Sequence, residues 1–185
     1  FLDVATRGAV DQALSRLTKA GDLRRLARGL YDFPKIHPKL GALSPSPDDV
    51  AKALARETGS NLQIDGPQAA NALGLSTQVA AQSRWLTDGP SRRVVLGKRV
   101  IDLRHTSPKH LIAPGSPAGT VVQALRHVGA ARASDVMHAA SRHLSASDKK
   151  LLARNATQAP AWMRATLISI ANSKPSGCGA DAAIG

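Results

Sequence analysis

The sequence predicts an α+β protein. An N-terminal winged helix-turn-helix, incomplete at its N-terminus, is followed by a mixed domain with a small antiparallel sheet and a helical C-terminal part. Three observations carry this expectation. Apolar residues recur at helical spacing over 6–20 and again through 119–172. Short alternating runs bounded by glycine and proline mark strands within 23–33 and 84–105. Hydrophobic residues make up 43% of the 185 but aromatics only 3%, so the core must be built from Leu, Val, Ile and Ala.

In the first element, Val10, Ala13, Leu14 and Leu17 follow the i, i+3, i+4, i+7 pattern of an amphipathic helix over 6–20, with Thr6 as N-cap and Gly21 as its stop. At about 100° per residue, Gly8, Gln12, Ser15, Arg16 and Lys19 face away from that stripe. The stretch LRRLARGLYDF, residues 23–33, then reads as a β-hairpin in which Gly29 supplies the positive φ of the turn. Arg25 and Arg28 stand near the tip, beside Arg24. Charges so crowded repel unless a polyanion, or the nearby Asp22 and Asp32, neutralises them. Helix, tight turn and hairpin in this order form the back half of a winged helix-turn-helix, whose earlier helices are expected upstream of Phe1.

The proline-rich stretch 34–47 reads as a linker or extended arm, separating a DNA-binding unit at 1–40 from an effector unit at 48–175. Asp48 and Asp49 open a helix through 56, their negative charge placed at its positive end. A short strand at 61–65 precedes a helix at 66–75 with Pro67 in its first turn and Gly74 as its stop. Runs at 84–89, 92–97 and 99–105 give three strands of a small antiparallel sheet. Helices follow at 119–129, 133–143, 146–155 and 160–172, with Ser134 and Ser145 or Ser147 as caps, and residues 176–185 form a disordered tail. Trp85 and Trp162 are expected to anchor the core.

Charge narrows the function classes. Lys plus Arg number 25 against 13 Asp plus Glu, a net charge of +12, as in chains that meet phosphates. Basic residues dominate 1–40 and 84–110, while acidic ones prevail over 41–83. A single cysteine, Cys178, fits a reducing compartment, and no run is long and apolar enough for a membrane span, so a cytoplasmic protein without a membrane partner is expected. No nucleophile elbow, phosphate-binding loop or dinucleotide fingerprint occurs. The histidines lack the i, i+4 spacing of a helical zinc site. The expectation is a protein with no catalytic residues, cofactor or metal.

Roles on DNA follow from side-chain chemistry. Gln12 pairs a donor and an acceptor and can read an adenine edge, and Arg16 can read guanine or hold a phosphate. Ser15 permits close approach and Lys19 extends the cationic face. Thr6 and Arg7 sit at the positive helix end, suited to backbone phosphate. Arg24, Arg25 and Arg28 line the wing, with Arg28 best placed for an adjacent minor groove. Arg84, Arg92, Arg93, Lys98, Arg99 and Arg104 form a second basic surface, which could touch DNA or a protein partner or stay solvated.

The segment RGAVDQALSRLTKAGDLRRLARGLYDFP, with QAANALGLSTQ, WLTDG and GKRVIDLRH further on, resembles the AbiEi-type antitoxin and transcriptional-regulator family of bacteria. The likeness covers most of residues 1–130 and is strongest in the first 34. It implies a winged helix that binds double-stranded operator DNA and represses its own operon. It also implies a C-terminal domain that counters a nucleotidyltransferase-like toxin. Two alternatives remain: a stand-alone winged-helix regulator with a ligand-binding C-terminal domain, and an enzymatic effector tethered to a DNA-binding head.

Overall fold

The computed structural model describes residues 5–77 and 82–173; the tail expectation and Cys178 lie outside the described residues. Helix α1 (Arg7–Ala20) ends at Gly21, whose φ of +84° lets the chain reverse while Asp22 N–H and Gly21 N–H close on Leu17 O and Thr18 O. Thr6 occupies the N-cap position, but its hydroxyl makes no capping bond. Strands β1 (Arg24–Ala27) and β2 (Leu30–Asp32) pair antiparallel, with a bulge between Arg25 and Ala27 and Gly29 in the turn at φ +73°. The proline-rich segment is not wholly irregular: β3 (Ile36–His37) and β4 (Gly41–Ala42) form a minimal hairpin.

Helix α2 (Pro47–Glu57) is capped by Ser46, whose side chain accepts from the Asp49 N–H, with Asp48 and Asp49 in the first turn as expected. Strand β5 (Leu62–Ile64) leads to α3 (Gly66–Ala72), capped by Asp65. Strands β6 (Gln82–Thr87), β7 (Arg92–Leu96) and β8 (Arg99–His105) follow.

The sheet corrects the antiparallel expectation. Its order is β5-β6-β8-β7, and β6 runs parallel to β8. The reason lies in composition. β8 carries Ile101 and Leu103, both buried, and suits an interior position, whereas β7 carries Arg92 and Arg93 and is tolerated at an edge. Trp85, Val94, Ile101 and Leu103 face α2, where Val50, Ala51 and Leu54 meet them, and Leu30 of the β1–β2 hairpin joins the same core.

The C-terminal helices are α4 (Pro117–Val128), α5 (Ala133–His143), α6 (Ala146–Asn155) and α7 (Ala161–Asn172). With α3 they enclose a second core in which Val121, Leu125, Val136, Leu152, Met163 and Leu167 are fully buried. Ser145 caps α6 in a reciprocal capping box with Asp148, whereas Ser134 lies inside α5 and caps nothing. Trp85 is an anchor at 3% exposure. Trp162 is not, since it stands 45% exposed on α7. No helix among the described residues is long and apolar enough to cross a membrane.

Candidate nucleic-acid interface

Five arginines line a cleft of about 850 Å³ between α1, the β1–β2 hairpin and the edge strand β7. Three elements from separate stretches of chain supply them. Arg7 comes from the first turn of α1, Arg25 and Arg28 from the hairpin, and Arg92 and Arg93 from β7, with Ser15 and Tyr31 on the walls. Five arginines face two acids there, Asp11 and Glu57. Glu57 is committed, its carboxylate accepting from both terminal nitrogens of Arg92 at 2.5 and 3.3 Å. Arg7, Arg25, Arg28 and Arg93 form no ion pair among the described residues.

The hairpin geometry explains how two of them arrive there. Arg25 lies opposite Tyr31 in the ladder and Arg28 sits beside Gly29 in the turn, both exposed. Arg24 is placed differently. It lies opposite Asp32, donates to its carboxylate at 2.6 Å and to Leu43 O at 2.7 Å, and so ties the hairpin to the following segment. The acid that the sequence offered as a counter-ion therefore takes one wing arginine and leaves the other two.

On α1, Gln12, Ser15, Arg16 and Lys19 are all exposed, and of these Ser15 lines the arginine cleft while Gln12, Arg16 and Lys19 lie outside its lining. No acid sits in the first turn of α1, where Thr6 and Arg7 stand at the positive helix end. The opposite, apolar side of α1 borders a separate cleft of about 940 Å³ shared with Leu23, Leu30, Phe33 and Ala53.

The second basic surface divides in the folded chain. Arg84 on β6, Asp102 on β8 and Arg93 on β7 lie in one row across the sheet. Arg84 and Arg104 both donate to Asp102, at 3.2 and 3.1 Å. Burial opposes the charged form of this carboxylate, but the hydrogen bonds from Arg104 and Arg84 outweigh it and hold its pKa below the usual carboxylate value. Lys98 and Arg99 are exposed at the β7–β8 turn, outside the cleft. Only Arg92 and Arg93 of this set join the α1 and hairpin arginines. Sequence reasoning missed Asp11 and Glu57 as acids bordering the site. Glu57, at the last position of α2, gave no local sign that it would meet Arg92.

Among the described residues no three His, Cys, Asp or Glu side chains stand close enough to hold a metal ion. The model of a family of unknown function, DUF6088, matches residues 1–152. The chain belongs to the DUF6088 family. No curated protein and no solved structure matches it. The span shared with DUF6088 runs from α1 into α6 and contains every residue of the arginine cleft, while α7 lies beyond it.

Proposed function

We propose that this protein is a double-stranded-DNA-binding regulator of the AbiEi antitoxin kind, which represses its own operon and counteracts a nucleotidyltransferase-like toxin. The N-terminal helix and hairpin act as the back half of a winged helix-turn-helix. One observation carries the DNA-binding part. Four arginines from three separate stretches of chain, Arg7, Arg25 with Arg28, and Arg93, converge on one cleft without an ion pair among the described residues. Like charges gathered at such a place repel unless a polyanion is bound, and duplex DNA is such a polyanion. In this reading the cleft arginines hold the backbone, and Gln12 and Arg16 reach base edges in the major groove.

The test is a mobility-shift titration of the protein on the duplex upstream of its own reading frame, repeated from 50 to 200 mM salt. Binding should weaken steeply as salt rises, and Gln12→Ala should relax preference at one base pair while leaving affinity for unrelated duplex unchanged. No shift at 50 mM salt would remove the reading. The antitoxin part is tested separately, by growth rescue when the chain is co-expressed with a nucleotidyltransferase-like neighbour. A second reading, a stand-alone regulator whose C-terminal domain takes a ligand, is favoured by a cavity of about 810 Å³ between α2, β5 and the start of α4.

A further inference from the structure

One apolar surface is left over by both cores. Between the wing and α2, the segment 33–47 carries Phe33, Ile36 and Leu40, which are 72 to 74% exposed and belong to neither core. The segment is nonetheless built. Strands β3 and β4 pair through Ile36–Ala42 and His37–Gly41, the Leu43 N–H donates to Lys35 O at 2.9 Å, and the Lys39 N–H donates to His37 Nδ1 at 3.2 Å. Leu40 stands in the turn between the two strands, and every residue from 35 to 44 is exposed. Large apolar side chains held out on a hydrogen-bonded arm mark a surface that meets a partner.

Charge, anchoring and reach say which partner. Lys35, His37 and Lys39 stand on the arm, and no Asp or Glu occurs from 33 through 47. Neither lysine forms an ion pair among the described residues. The partner is therefore anionic and offers apolar surface as well. Arg24 donates to Asp32 and to Leu43 O, the residues that flank the arm, and so fixes it to the base of the wing that brings Arg25 and Arg28 to the cleft. The five residues 34–38 span up to about 17 Å, against a minor groove about 7.5 Å deep. A second copy of the chain fits less well, because two such arms would set lysines against lysines.

We propose that the β3–β4 arm enters the minor groove of the duplex held by the arginine cleft, where Leu40 presses between base pairs and bends the DNA while Lys35 and Lys39 hold flanking phosphates. Apolar wedges of this kind partly unstack a base step and bend the duplex by about 20–90°. The proposal rests on the DNA-binding reading and adds a deformation to it. Preference then arises at base steps that no side chain reads, since pyrimidine–purine steps yield more easily than others.

The test uses the full chain on the duplex upstream of its reading frame, labelled with a donor dye at one end and an acceptor at the other. At saturating protein and about 50 mM salt, energy transfer should rise as the ends approach. Leu40→Ser with Ile36→Ser, both at exposed positions and with thermal unfolding unchanged, should remove at least half of that rise while weakening binding less than tenfold. Lys35→Gln with Lys39→Gln should lower the salt slope by about two units. Arg28→Ala gives the converse, weaker binding with the full bend once saturated.

Binding without a rise in transfer, a rise that Leu40→Ser with Ile36→Ser leaves intact, or an unchanged salt slope in the lysine variant would each overturn the proposal and spare the DNA-binding reading. No binding at all would remove both. If the serine variant instead splits a dimer in sedimentation, or releases the chain from phosphatidylserine vesicles, with the bend intact, the arm belongs to a second copy or to a lipid surface and the proposal falls.

Discussion

Helices α1 and α4 are close in length, fourteen and twelve residues, and both carry an apolar stripe, yet α1 buries none of its residues and α4 buries seven. The difference lies in what each stripe meets. Val121, Val122 and Leu125 of α4 are enclosed by α3, α5, α6 and α7. Val10, Leu14 and Leu17 of α1 open instead on the apolar cleft bounded by the hairpin and α2. Amphipathic spacing decides that a segment is a helix, and tertiary neighbours decide whether its stripe is covered. A fourteen-residue helix with so little packing leans on local devices, here the Gly21 closure and the Thr18 hydroxyl bonded to Leu14 O. Its polar face is correspondingly free for a partner.

The contrast is broken or sharpened most strongly by truncating one side chain in each helix. Leu125→Ala removes a fully buried side chain and should destabilise by about 2–5 kcal/mol. Leu17, at 41% exposure, should cost well under about 1 kcal/mol when changed to Ala. Denaturant midpoints at unchanged slope measure both. Equal losses would mean that the α1 stripe is covered in solution, and the contrast would fall.

A smaller effect separates the arginines by what they touch. Arg28→Ala with Arg93→Ala removes two unpartnered cations from the cleft and should lower the salt slope of duplex binding by about two units. Arg84→Ala with Arg104→Ala removes two cations that already share Asp102, and should change that slope by less than about one unit. If both pairs behave alike, net charge and not its convergence in the cleft drives binding.

The two regions were also unequally legible. The helices at 133–143 and 146–155, Gly21 as the stop of α1 and the Gly29 turn follow from local signals, and the structure has them, whereas α3 ends at Ala72 rather than at 75. The parallel pairing of β6 with β8 was not legible, because strand order depends on which run needs two neighbours, a property of the whole sheet. Trp162 was read as buried on residue type alone, and type does not say which side of α7 meets the core. The site was split in the sequence into two basic surfaces. Its unity depends on β7 being an edge that ends beside the hairpin. The pairing of Arg92 with Glu57, thirty-five residues apart, was no more visible, since it forms by tertiary proximity, whereas Asp32 stood in the sequence as a counter-ion for the wing arginines and takes Arg24.

The smallest expected effect concerns Asp102, the acid that divides paired from unpaired arginines. Burial raises its pKa, yet the bonds from Arg104 and Arg84 bring it below the value it has in the unfolded chain. A carboxylate depressed on folding binds protons more readily when unfolded. Its contribution is therefore full above about pH 4 and is lost as pH falls through the folded value. Wild type should then exceed Asp102→Asn in stability at pH 6, with the gap narrowing by pH 3. Because Arg104 is 60% exposed and solvent screens its share, the gap at pH 6 should be the smallest of the differences argued here. A gap that does not narrow in acid would mean that Asp102 acts through packing rather than through its charge on Arg84 and Arg104.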